Sequence, residues 1–136
     1  MLTIEVQVHI AAPLDKVWDY FLDPAQIIHW NFASADWKCP SARNDPSPGG
    51  TFSYRMEAVD GSMGFDFEGT FLELQKPKRI VYKLADDRQV EVLFSETDGQ
   101  TLVTESFEAE DIHSSELQKT GWQAILNQFK HHTETH

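Results

Sequence analysis

Between Thr51 and Glu108 apolar and polar residues alternate in short runs, each broken by turn residues. That pattern admits little besides an antiparallel sheet built from hairpins. Phe52, Tyr54, Met56 and Ala58 alternate up to the hairpin dipeptide Asp60-Gly61. Phe65, Phe67 and Phe71 alternate through Gly69 until Lys76 and Pro77 interrupt. Ile80, Tyr82 and Leu84 form the next run, Asp86 and Asp87 turn it, and Val90, Val92 and Phe94 form another. Asp98-Gly99 then leads into Leu102 to Phe107. Residues Thr3 to Ile10 alternate strictly, with Ile4, Val6, Val8 and Ile10 on one face. About six strands are predicted, all but the first joined by hairpins. Leu72 and Leu74 share the parity of Asp66, Glu68 and Thr70, which requires a bulge or a sheet buried on both faces.

Helical spacing appears in three places. Pro13 opens a run in which Leu14, Val17, Trp18, Phe21 and Leu22 share one face, and Asp15 sits in its first turn. Asp23, Pro24 and Gln26 form a second start signal, predicting a short helix to about Trp30. Ser115 and Gln118 read as a capping box, and Leu117, Gly121, Trp122, Ile125 and Phe129 recur behind it. The expected helix, from about Ser115 to His132, would be about 27 Å long at roughly 1.5 Å per residue. Six strands at about 4.8 Å span a similar width, so one helix is long enough to cross the sheet. The stretch from Asn31 to Gly50 has neither period and reads as a long ordered loop.

Composition narrows function by exclusion. With 40% hydrophobic residues in 136, one domain covering residues 1–136 is expected. The 22 acidic and 11 basic residues give a net charge of -11, which repels phosphate backbones and anionic lipid surfaces. Neither nucleic acid nor membrane is expected as a partner. Cys39 is the lone cysteine, so it is expected to pack and not to bridge or react. The beginning MLTIEVQVHI lacks the basic start and apolar stretch of a signal peptide, and a cytoplasmic protein is expected. The six histidines are scattered, so no metal site is expected. No phosphate-binding loop, G-x-G-x-x-G or G-x-S-x-G occurs, and no cofactor is expected.

The order of elements resembles the START-like helix-grip superfamily, also called SRPBCC and typified by Bet v 1-like folds. The segments AAPLDKVWDYFLDPAQIIHW, ASADWKCPSARNDPSPGGTFSYRMEAVDGSMGFDFEGTF, KPKRIVYKLADDRQVEV and LQKTGWQAILNQFK narrow it further. Together they look like the branch named for activator of ninety-kilodalton heat shock protein ATPase homologues. Its most specific points are Trp37-Lys38-Cys39-Pro40, Gly49-Gly50 and Gly121-Trp122. The resemblance implies an α+β fold with a curved antiparallel sheet around a long C-terminal helix. It also implies a cavity for an apolar or lipid-like ligand between helix and sheet. Some relatives are cyclases or components of hydroxylating enzymes. The chaperone activity belongs to longer relatives that carry a further N-terminal chaperone-binding domain.

The residues themselves nominate the walls of such a cavity. Trp30, Phe32 and Trp37 frame the irregular loop, and the indole N–H groups of the two tryptophans are candidate donors at its rim. Tyr54, Met56, Phe65, Phe67 and Phe71 supply the sheet side, and Trp122, Ile125 and Phe129 the helix side. Gly121 costs about 1 kcal/mol relative to alanine inside a helix, which calls for either close packing or a widened cavity. Asp36, Arg55, Asp66, Glu68 and Glu105 lie in or beside strands. Alternation puts the third-strand acids on the solvent face.

Three functions compete on these grounds. The first is a non-enzymatic module binding an apolar small molecule. The second is a cyclase- or hydrolase-type enzyme using Asp36, Arg55, Asp66 or Glu68, which requires at least two of them to converge in the cavity. The third is a chaperone-linked interaction module. Monomer and edge-paired homodimer are both open.

Overall fold

The computed structural model of the protein describes residues 2–136. Seven strands form one curved antiparallel sheet: β1 (Thr3–Ile10), β2 (Trp37–Asn44), β3 (Thr51–Ala58), β4 (Gly64–Gln75), β5 (Arg79–Leu84), β6 (Gln89–Thr97) and β7 (Gln100–Glu108). Their spatial order is β1-β7-β6-β5-β4-β3-β2, so every neighbour except the β1–β7 pair is also a neighbour in sequence. Helices α1 (Leu14–Leu22) and α2 (Pro24–Ile27) follow β1, and α3 (Ser115–Thr135) ends the chain. This is the helix-grip architecture. None of the described helices is long and apolar enough to cross a membrane.

Turn chemistry sets the register. Asp98 and Gly99 both have positive φ, 55° and 78°, the conformation of a two-residue hairpin whose twist matches its strands. Thr97 therefore pairs with Gln100, and Val103, Glu105 and Phe107 share the concave face. Asp60-Gly61 lies instead within a longer connection between β3 and β4, where the Asp60 carboxylate accepts from the Ser62 amide. Of the two arrangements that the leucine parity admitted, the bulge is the one present, between Phe71 and Glu73. Leu72 is thrown outward there, and Leu74 returns to the inner face.

Seven strands replace the expected six because β2 lies within the stretch read as loop. WKCPSARN has no clean alternation, and Pro40 cannot donate to a ladder. It forms a strand nonetheless because it is an edge, pairing only with β3, and its register slips between Lys38 and Ser41. The bulge around Cys39 and Pro40 blunts this edge against further pairing. At the opposite edge α3 does the blunting. Gln123 donates to the Gln7 carbonyl at 3.0 Å and Lys130 to the His9 carbonyl at 2.6 Å, occupying acceptors on the free side of β1.

The helices pack as amphipathic elements should. α1 buries Val17, Trp18, Phe21 and Leu22. Asp23 caps α2 by accepting from the Ala25 amide at 3.0 Å, and the helix ends at Ile27, with turns continuing to Trp30. The N-cap of α3 is Ser114, whose hydroxyl accepts from the Leu117 amide, so the capping register lies one residue earlier than expected. Gln118 instead bonds back to Glu110 and His113, fixing the segment that enters the helix. The helix runs on to Thr135, where Glu134 accepts from the Ala11 amide at 2.7 Å. It does not lie evenly across the sheet. Its close backbone approach is to β1 and to α1, and Phe129 packs edge-on against Phe21 at 5.3 Å.

Candidate functional site

Because α3 hugs one side of the sheet, the concave faces of β3, β4 and β5 lie across a gap from it. A cavity of about 210 Å³ fills that gap. Phe52, Tyr54 and Met56 from β3, Phe65, Phe67 and Phe71 from β4, and Tyr82 from β5 form its floor. Trp122 and Ile125 from α3 face them, and Phe21, Leu22, Trp30 and Asn31 close one end. Phe65 is 49% exposed while lining the cavity, so the mouth opens beside it, at the β4 end of the β3–β4 hairpin.

The floor is a sheet of aromatic rings packed on one another. Phe52 contacts Tyr54, Phe71 and Tyr82 at 5.0, 5.3 and 5.2 Å between centroids. Gly69 makes this arrangement possible, since a Cβ there would come within 2.8 Å of the Phe52 ring and 2.4 Å of the Lys83 carbonyl. Opposite, Trp122 stacks on Phe107 at 4.0 Å with the planes 10° apart, and meets the edge of Phe67 at 6.3 Å. Gly121 beside it is not held by close packing, because a Cβ there would touch nothing within 4 Å.

Four polar side chains reach into this apolar space. Glu105 is 7% exposed, and burial alone pushes its carboxyl up to about 8, so at neutral pH it is mostly protonated. Among the described residues no cation or hydrogen-bond donor meets it. The phenols of Tyr54 and Tyr82 are both held well above their ordinary range, chiefly by burial. The charge of Glu105 adds to that of burial at Tyr82. Asn31 is committed, donating to the Met56 sulfur at 3.1 Å.

Of the residues nominated from sequence, Trp30, Tyr54, Met56, Phe65, Phe67, Phe71, Trp122 and Ile125 line the cavity. Phe32, Trp37 and Phe129 do not. Phe129 is fully buried behind Phe21 and Trp30, with ring centroids at 5.3 and 4.7 Å. Trp37 supports the rim from outside, its ring edge 5.9 Å from Phe65, and Phe32 packs partly buried against the core. The indole of Trp30 is not a free donor, since it bonds the Tyr20 carbonyl at 3.2 Å.

The four catalytic candidates do not converge. Asp36, Asp66 and Glu68 are exposed. Arg55 pairs on the convex face with Glu57 at 3.0 Å and Asp66 at 3.4 Å, as strict alternation with inward Tyr54 and Met56 requires. None of the four lines the cavity. Cys39 is buried, and desolvation raises its thiol, keeping it in the unreactive form. No group of three or more candidate metal ligands occurs among the described residues.

Glu105 was named among the charged residues in or beside strands but not among the cavity or catalytic candidates. The signal for it was present, because Val103, Glu105 and Phe107 alternate with Leu102, Thr104 and Ser106, placing an acid on an otherwise apolar face. An acid is ordinarily taken as a solvent residue, and that habit hides it.

Residues 11–134 match the family described as Activator of Hsp90 ATPase homolog 1-like protein. The fold superposes on the solution structure of an AHSA1-like protein from Aeromonas hydrophila with a TM-score of 0.91 and 40% identity, covering 99% of this chain and 97% of that one. A solution structure from Cytophaga hutchinsonii has a TM-score of 0.84 at 45% identity, covering 97% and 92%. A crystal structure from Chromobacterium violaceum shares the fold with a TM-score of 0.89 at 24% identity, over the whole of both chains. No curated protein matches the sequence.

Proposed function

The chain belongs to the activator of Hsp90 ATPase homolog 1-like family within the START-like superfamily, and from the cavity in its fold we propose that it binds a small, mostly apolar molecule. The carrying observation is an apolar space of about 210 Å³ between α3 and the aromatic floor, open beside Phe65. Close-packed interiors seldom leave such room. It falls below the roughly 300 to 1,000 Å³ of sites for drug-sized ligands, so the occupant is small: a single ring with a short chain, or an equivalent branched molecule. Binding places it against Trp30 and Trp122, whose fluorescence reports it.

Native mass spectrometry and thermal-shift measurements with a panel of small apolar compounds test this reading. Expected is a one-to-one adduct with a raised Tm and altered tryptophan emission, lost in an Ile125→Trp variant that fills the space from α3 while still unfolding cooperatively. No adduct and no shift across the panel would overturn the proposal.

A further inference from the structure

Glu105 stands out because an unpaired carboxyl inside an apolar cavity costs stability whenever it ionises, and nothing in the fold requires it. Across β1 and β6 its register partners are Val6 and Val92, which bring neither charge nor hydrogen bond. From α3 the facing residues are Trp122 and Ile125. The other titratable groups lining the cavity are the phenols of Tyr54 on β3 and Tyr82 on β5. No lysine, arginine or histidine lines it, so an anionic ligand would find no counter-charge. Nine of the lining residues are aromatic: three on β4, two on β3, and Phe21, Trp30, Tyr82 and Trp122. Aromatic faces carry negative charge density, which attracts organic cations. The surplus of 22 acidic over 11 basic residues gives the whole molecule a field that draws cations toward it.

Resting on the apolar-ligand reading above, we propose that the occupant is a hydrophobic amine bound as its ammonium ion, with Glu105 as counter-charge and the surrounding aromatic rings as its cage. Free protein holds Glu105 mostly neutral at pH 7, since burial raises its carboxyl to about 8. The ammonium arrives charged, the Glu105 O–H bond breaks, its proton leaves to solvent, and a carboxylate–ammonium pair remains. Binding therefore releases close to one proton per ligand near neutral pH. It tightens by about tenfold per pH unit up to the Glu105 midpoint, as linkage requires.

The test uses 2-phenylethylamine and its neutral counterpart 2-phenylethanol, titrated calorimetrically into the full chain in two buffers of different ionisation heat. The amine is expected to bind at least tenfold tighter than the alcohol and to release a proton that the alcohol does not. Glu105→Gln is expected to abolish both the preference for the amine and the proton release. Equal affinities without proton release would overturn the amine assignment while the apolar-ligand reading stands. Failure of both compounds to bind would overturn the amine assignment, and the apolar-ligand reading would then be decided by the panel above.

Discussion

The two halves of the concave sheet face have the same alternation and opposite interiors. At the β1-β7-β6 end, Val6, Val8, Ile10, Val92, Phe94 and Val103 meet α1 and α3 and pack solid. At the β3-β4-β5 end, Phe52, Tyr54, Phe67, Phe71 and Tyr82 face a gap. Branched aliphatic side chains interdigitate with a helix that approaches closely. Rings this large pack edge and face against one another along the sheet, forming a stiff wall that does not collapse into the space in front of it. One half of a continuous sheet thus packs solid, and the other keeps a cavity open.

That division is broken or sharpened first by truncating one phenylalanine in each half. Phe129→Ala, in the packed half at 0% exposure, is expected to cost about 3 to 5 kcal/mol. Phe65→Ala at the cavity mouth is expected to cost less than about 1 kcal/mol, the half-exposed ring leaving no closed void. Urea unfolding measures both, and equal losses would show that the cavity wall carries as much of the fold as the packed side.

Glu105 gives the next effect, and its sign depends on pH. Its folded-state carboxyl lies near 8, above the ordinary value of 4.5. The folded chain therefore holds a proton that the unfolded chain releases, and the stability this contributes is complete below 4.5 and lost as pH rises toward 8. Glu105→Gln removes the ionisation. The variant should match the parent at pH 4 to 5 and exceed it by roughly 2 to 4 kcal/mol at pH 9. Parallel stability curves for the two proteins would mean that Glu105 is solvated.

A pair of glycines sharpens the comparison further. Gly69→Ala, which drives a methyl into Phe52 and the Lys83 carbonyl, is expected to destabilise by about 1 to 3 kcal/mol and to weaken ligand binding by displacing the cavity floor. Gly121→Ala has open space in front of it and should stabilise by about 0.5 to 1 kcal/mol through helix propensity alone. Thermal unfolding of the two variants, moving Tm in opposite directions, checks both expectations.

Much of this was legible along the chain. Asp98-Gly99 marked a turn, which is a tight hairpin, and the parity of Leu72 and Leu74 left either a bulge or a sheet buried on both faces, of which the bulge is present. Asp23-Pro24 marked the start of α2, and the resemblance to helix-grip proteins was carried by residues spread over nearly the whole length. β2 was hidden because an edge strand needs only one partner and tolerates Pro40, so its sequence carries no period. The cap of α3 was misplaced by one residue because Ser114 and Ser115 are equivalent as letters, and only the loop from Glu110 selects between them.

By itself, then, the sequence determined which residues face inward, because strand and helix periods are local and each inward face is written in about eight residues. It determined the net charge of -11 as well. What only the tertiary structure decided is which inward-facing residues are pressed together and which are left apart. That depends on where α3 comes down on the sheet, a choice made by contacts a hundred residues distant, such as Lys130 with His9 and Phe129 with Phe21. The same choice left Glu105 facing an unfilled space instead of a partner, and so placed a buried acid in the lining of an apolar cavity.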